Sequence, residues 1–309
     1  MSQSTRNLLM IRPVNFAFNE QTADSNAFQA RSADVQEVQA KAIAEFDGLV
    51  KLLKDNTINV KVIEDTPQPY TPDAVFPNNW VSFHEDGDVI IYPMKAENRR
   101  LERREDIIRK LEDNFIVRHI IDLGRFELQN KFLEGTGSMV LDRENKTAYA
   151  CISPRTDADV LSTFCEHTGY RAVTFKGLDE KGLAIYHTNV MMCVGTDFAV
   201  ICLDAISDNL EKEQVKESLE NTGKQIIPIS FTQMNRFAGN MLEILNNDGD
   251  KLIVMSQSAY DCLNDEQRKQ LSSFGKLIYA DISTIETNGG GSARCMLAEV
   301  HLPLSNNDQ

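Results

Sequence analysis

Strand-like runs, tight turns and helical stretches follow one another in a repeating order along this 309-residue chain, and that order restricts the fold more than any single motif. Short apolar runs with β-branched residues occupy 7–11, 60–63, 88–92, 139–142, 147–152, 190–194, 198–202, 252–255 and 277–281. Each is bounded by Gly, Asn, Asp or Pro, as strands usually are. Four hairpin signals lie at Glu85-Asp86-Gly87-Asp88, 142–146, Gly195-Thr196-Asp197 and 246–250. Apolar residues at helical spacing fill 35–53, 98–114, 157–169, 209–223 and 259–274. The recurring order is a hairpin, a helix and another strand, a ββαβ unit of about sixty residues used about five times. The units share no obvious sequence, so the repeat is one of pattern. No Pro/Ser-rich linker interrupts residues 1–309, which predicts a single α/β domain.

Acidic side chains number 46 against 32 basic ones, a net charge of −14. That balance argues against a nucleic-acid partner, because phosphate binding needs a local Lys/Arg surplus. The basic run Arg99-Arg100-Leu101-Glu102-Arg103-Arg104 reads by itself as the solvated face of a helix. No apolar stretch is long enough for a signal-peptide core or a membrane span, so no membrane partner and a cytoplasmic location are expected. The six cysteines, Cys151, Cys165, Cys193, Cys202, Cys262 and Cys295, show no C-x-x-C pair and no Cys/His cluster at zinc spacing. Free thiols without a structural zinc are the expectation, most of them small buried hydrophobes.

Cys295 is the exception. It ends the segment Asn288-Gly289-Gly290-Gly291-Ser292-Ala293-Arg294-Cys295. Consecutive glycines let backbone approach a ligand, and a neighbouring cation favours a thiolate, so the segment suits a nucleophile. Its blander alternative is a glycine turn before a buried Cys. A nucleophile needs a base, and among five histidines His187 is expected to open a strand in Tyr186-His187-Thr188-Asn189-Val190, where its ring can be held rigidly. Glu134, in Leu133-Glu134-Gly135-Thr136-Gly137, is poorly placed for a surface salt bridge and well placed to face a pocket. An exposed turn carboxylate is the competing reading. Asn19, Asn26 and Asn240 are further candidates for the pocket wall, with no role assigned.

Taken together, these segments resemble the guanidine-modifying superfamily of arginine deiminases, dimethylarginine dimethylaminohydrolases, succinylarginine dihydrolases and amidinotransferases. The order Glu-Gly, His-x-Asn, then a glycine-rich loop with a late Cys is that superfamily's order. Phe76-Pro77-Asn78-Asn79-Trp80 and Leu133-Glu134-Gly135-Thr136-Gly137 are similar to its amidinotransferase-like, citrulline-utilisation hydrolase branch. The resemblance implies a five-bladed α/β propeller of ββαβ modules around a central pocket. It implies Cys295 attacking a guanidino or ureido carbon, His187 moving the proton and Glu134 binding substrate nitrogens. Arg155, in Ser153-Pro154-Arg155-Thr156, would hold a substrate carboxylate, with Arg99 as a second anchor. The implied partner is a small guanidino or ureido molecule bearing a carboxylate, with no metal or organic cofactor; homo-oligomerisation is left open.

One departure bears on substrate. Arginine deiminases present two aspartates where this chain has Asn79 and Asn189. An amide can donate as well as accept, whereas a carboxylate only accepts, so the expected substrate is one less cationic at its reacting group than free arginine, such as a ureido compound, or an arginine derivative that relies on Glu134 alone. Two other readings stay open. One is an amidinotransferase that hands the carbon to an acceptor amine. The other is a non-catalytic propeller, as in ribosome anti-association factors, which the retained Cys, His and Glu oppose.

Overall fold

Five three-stranded sheets carry the expected pattern in a computed structural model that describes residues 2–24, 26, 28–32 and 34–305. Four sheets follow chain order: Val81–Phe83, Asp88–Ile91 and His119–Asp122; Val140–Asp142, Thr147–Cys151 and Arg171–Phe175; Met192–Val194, Phe198–Ile201 and Gln225–Pro228; Leu242–Leu245, Lys251–Ser256 and Lys276–Ala280. In each, the first two strands form an antiparallel hairpin and the third returns parallel to the second. All four predicted hairpin turns are present. The fifth sheet joins the two ends of the chain. Asn7–Arg12 pairs parallel with Asn59–Glu64 and antiparallel with Ala298–Glu299, which takes the place of a hairpin partner.

Helices link the second and third strands. Val35–Asp55 buries Val38, Ala42, Phe46, Leu49, Val50 and Leu53 on one stripe, and the Asp34 side chain accepts from the first-turn amides of Gln36 and Glu37. Ala158–Thr168 is capped by Asp157 at its start and by Gly169, with φ +73°, at its end. Two predicted helices are broken. The 98–114 stretch divides into Glu97–Arg100 and Glu105–Glu112, with Arg104 extended between them. The 259–274 stretch divides at Leu263, where Asn264 and Gln267 form a capping box that starts a new helix.

Among the first strands, Ala298–Glu299 touches Val81–Phe83, and Met192–Val194 touches both Val140–Asp142 and Leu242–Leu245, which sets these strands around the axis. Just ahead of each runs a short helical turn or loop: Pro77–Asn79, Gly135–Ser138, Thr188–Met191, the 237–240 loop and Ala293–Met296. The opposite end of the axis is occupied by residues 2–5. Ser2 N donates to Glu85, Gln3 Nε2 to Leu141 O and Val194 O, Ser4 Oγ to Glu243 and Thr5 Oγ1 to Val300 O, so four successive residues contact all five blades. The geometry is that of a five-bladed α/β pseudo-propeller. Among the described residues no helix is long and apolar enough to cross a membrane.

Candidate active site

The turns ahead of the inner strands bring chain positions far apart in sequence to one end of the axis. Asn79, His187 and Cys295 line one small cavity together with Asn26, Asp73, Phe76, Arg99, Arg155, Tyr186 and Gly289–Gly291. Its free space is only about 10 Å³, roughly room for one water. Larger clefts exist, including one of about 670 Å³ beside Asn56, Asp250 and Phe274, but none gathers these groups. The cavity is closed by the segment before the first long helix. Asn26 Nδ2 donates to Gly289 O and Gly290 O at 3.3 and 3.4 Å, and Gln29 Nε2 to Asn288 O at 3.0 Å.

One expectation about local structure is corrected here. His187 does not open a strand; it is the extended N-cap residue of the helical turn Thr188–Met191, and the strand begins at Met192. Glu134 holds the same position ahead of Gly135–Ser138. Both turns are four residues long, too short to leave a helical period in sequence. The backbone N–H of Glu134 donates to Ser138 Oγ, whose hydroxyl donates to Arg155 O. The Glu134 loop is thereby tied to the Ser153–Arg155 turn.

His187 Nε2 lies 2.8 Å from Glu134 Oε2, and both side chains are fully or almost fully buried. Burial pushes the imidazole down to about 4, against the upward pull of Glu134. Burial also acts to raise the Glu134 carboxyl, but Arg155, His187 and Arg99 outweigh it and hold the group well below the usual carboxylate range. The two directions agree on one state: a neutral ring donating its Nε2 proton to a carboxylate, which leaves Nδ1 as the free base. Glu134 Oε1 accepts the Lys95 backbone N–H at 3.0 Å. Glycine is required at 137, where a Cβ would lie 2.5 Å from Asn79 Nδ2 and 2.8 Å from His187 Nδ1.

Cys295 is 3% exposed, and its sulfur is 3.4 Å from Asn189 Nδ2 and from Asn240 Nδ2. The cysteine and His187 face the same cavity without a direct hydrogen bond. Asn189 Oδ1 is buried without a hydrogen-bond partner. Arg155 stacks 5.0 Å over the Tyr186 ring and reaches Glu134 Oε2 and Thr22 O at 3.4 and 3.1 Å.

Arg99, read from sequence as a carboxylate anchor on a solvated helix face, is buried and directed inward. Two of its nitrogens donate to Glu102 at 2.9 Å each, and Nη1 donates to Asn79 Oδ1 at 2.9 Å. Since a guanidinium only donates, this contact fixes the Asn79 amide with its oxygen toward Arg99 and its nitrogen toward Asn78 Oδ1, 3.0 Å away.

Asp73 was not singled out from sequence. It is buried on the cavity wall, with Oδ2 accepting from Asn19 Nδ2 at 2.7 Å and Oδ1 without a partner. Burial raises its carboxyl, with Arg99 pulling the other way. The signal available was its place in Thr71-Pro72-Asp73, just ahead of Phe76-Pro77-Asn78-Asn79. Of the three unassigned asparagines, Asn26 lines the cavity, Asn19 holds Asp73, and Asn240 touches the sulfur. Among the described residues no group of three or more His, Cys, Asp or Glu is placed to hold a metal ion.

Five ββαβ-like blades with the gathered turns at one end define a pentein of the guanidine-modifying superfamily. Residues 12–302 match the family described as N,N dimethylarginine dimethylhydrolase, eukaryotic, and the chain belongs to that family. Solved structures agree in fold. ArgZ, described as an arginine dihydrolase from the ornithine-ammonia cycle in cyanobacteria, superposes in its apo form with a TM-score of 0.75 at 17% identity, over 97% of this chain and 41% of that one. The present chain thus spans about two fifths of full-length ArgZ. The N-terminal domain of ArgZ, as a Cys-to-Ser variant bound to substrate, gives 0.74 at 18% identity over 96% of this chain and 98% of that one. A DDAH from Pseudomonas aeruginosa complexed with citrulline gives 0.66 at 15% identity over 96% and 99%. No curated protein matches the chain in sequence.

Proposed function

We propose that this protein is a cysteine-dependent hydrolase that cleaves a C–N bond of a guanidino or ureido group in a carboxylate-bearing, amino-acid-like substrate. The observation that carries the reading is the convergence of Cys295, the His187–Glu134 pair and Arg155 on one small polar cavity. The Cys295 sulfur adds to the central carbon as His187 Nδ1 takes the thiol proton. The proton passes to the departing nitrogen, the C–N bond breaks, and ammonia or an amine leaves. Water then adds to the carbon and gives a proton to His187. The S–C bond breaks, and the sulfur leaves with the electron pair and regains the proton. Glu134 keeps the ring oriented with Nδ1 free, and Arg155 meets the substrate carboxylate.

The finer reading is a ureido substrate, as in the citrulline-utilisation hydrolase branch. Arg99 occupies one acceptor site of the Asn79 oxygen and Asn78 Oδ1 takes one of its two N–H groups, so the second N–H is the donor that Asn79 can turn to a ligand. That suits the oxygen of a ureido carbon and opposes a guanidinium, which has no acceptor. Asn189 Oδ1, buried and unpaired, is available for a ureido N–H. A cytoplasmic setting fits the six free thiols.

Product analysis with citrulline, free arginine and an N-acylated arginine, each with and without glycine as acceptor, tests both levels. Ammonia or amine release with a Cys295 adduct in the mass spectrum is expected, and citrulline should be the best of the three. Fast turnover of free arginine alone would remove the ureido reading. An amidino product of glycine would replace hydrolysis by transfer.

A further inference from the structure

We propose that Asn240 is a catalytic hydrogen-bond donor to the Cys295 sulfur, acting with Asn189 as a two-amide cradle for the charge that the sulfur carries during turnover; this rests on the hydrolase reading above. The orientation of Asn240 follows from its neighbours. Its Oδ1 accepts the backbone N–H of Arg294 at 3.0 Å, and its Nδ2 donates to the carbonyl oxygen of Asn189 at 2.9 Å. An N–H donor on one side and a carbonyl acceptor on the other leave one assignment of the amide. Of the two Nδ2 hydrogens, one is engaged by Asn189 O and the other is directed at Cys295 Sγ, 3.4 Å away. The longer Sγ to Oδ1 contact is 3.8 Å.

The place of Asn240 in the fold supports the same role. Asn79, Asn189 and Cys295 each lie on the turn two or three residues ahead of an inner strand, at Val81, Met192 and Ala298. Asn240 stands two residues ahead of Leu242, the inner strand of the remaining hairpin blade on that side. Gly239 beside it has no Cβ to hold off the neighbouring turn; one would lie 2.5 Å from Val190 O. The backbone is thus shaped to bring this amide against the turn ahead of Met192 and the thiol at once, and Asn240 is fully buried.

The sulfur is electron-rich twice in the cycle, as it attacks and as it leaves the tetrahedral adduct. Donors already aimed at it need no reorganisation at either moment. A carboxylate in their place could only accept, and would present negative charge to a sulfur developing its own.

Asn240→Asp keeps the shape and the acceptor for Arg294 N–H but removes the donor, and Asn240→Ala removes both. Each variant and the wild type are compared for kcat, KM, labelling of Cys295 by a haloacetamidine, and thermal midpoint. The expectation is a kcat loss of ~10²-fold with KM little changed, as for removal of one preorganised donor, and slower labelling in both variants, with Asn240→Asp the slower. Wild-type labelling rates in both variants would overturn the proposal while leaving the hydrolase reading intact, as would activity losses that track a fall in thermal midpoint alone. A wild-type protein that neither labels at Cys295 nor hydrolyses any substrate would instead remove the functional reading, and this proposal with it.

Discussion

His187 and Glu134 sit on turns of two different blades, yet their Nε2 and Oε2 atoms are 2.8 Å apart and both residues are buried. A buried imidazole hydrogen-bonded to a carboxylate could have been an ion pair. Here burial prevails over the carboxylate, and the ring is neutral. Electrostatic state and chemical task agree, because a base must arrive without its proton.

That balance fixes the sign of the acid response. Folding holds His187 near 4, and His84 and His301 are also held below the ordinary histidine value, chiefly by burial. Between about 6.5 and 4 these histidines therefore bind more protons in the unfolded chain than in the folded one. Stability from these histidines is present above that window and is lost as pH falls through it. The depressed Glu134 carboxyl adds a loss of the same sign at lower pH. Buried carboxyls such as Glu102, raised to about 8, act with the opposite sign, so the histidine contribution is read as a difference: the thermal midpoint of the wild type minus that of His84→Gln should fall from pH 7 toward pH 5. A difference that grows on acidification would contradict the assignment.

Two glycines should respond differently to alanine. Gly137→Ala places a methyl between Asn79 and His187, and a displacement of that kind costs about 10²-fold in rate with modest effect on melting. Gly169 has left-handed φ +73° and open space around it. Gly169→Ala should cost about 1 kcal/mol of stability and leave the rate unchanged. Activity and denaturant midpoints of the pair separate close approach from backbone conformation.

Asn79→Asp exchanges a donor for a second acceptor beside Arg99. Relative kcat/KM for guanidino over ureido substrates should rise by about tenfold or more, in line with the penalty for mismatched polar groups. Competition assays with arginine and citrulline read the ratio directly. An unchanged ratio would show that Asn79 does not meet the reacting group.

Removing the sulfur should abolish the reaction while sparing the fold. Cys295→Ser is expected to lose at least ~10³-fold in rate and to form no adduct. Its melting temperature should stay close to that of the wild type, since Ser differs little in volume. Ammonia release and intact-mass spectra check both halves of the expectation.

Much of this architecture was legible because hairpin chemistry is local. Turns at Gly87, 142–146, Gly195 and 246–250 gave four blades, and helix caps such as Asp157 and Gly169 gave their boundaries. The fifth blade was not legible: its inner strand, Ala298–Glu299, is two residues long and meets Asn7–Arg12 from the far end of the chain with no turn between them. The site divided along the same line. Cys295, His187 and Glu134 carried local signals of glycine neighbours and chemistry-bearing side chains. Asp73 is an ordinary polar residue in sequence, and Asn240 was a pocket candidate without a role; one joins the cavity wall and the other meets the sulfur only when other blades close around them. Arg99 shows the converse, a surface-like charge run whose first member turns inward because Glu102 and Asn79 wait there.

The strand that seals the ring begins three residues after the nucleophile. Docking of Ala298–Glu299 against Asn7–Arg12 both completes the circle of blades and anchors the segment that presents Cys295. Loss of either of these two strands would therefore remove the closure of the ring and the support of the thiol-bearing segment together.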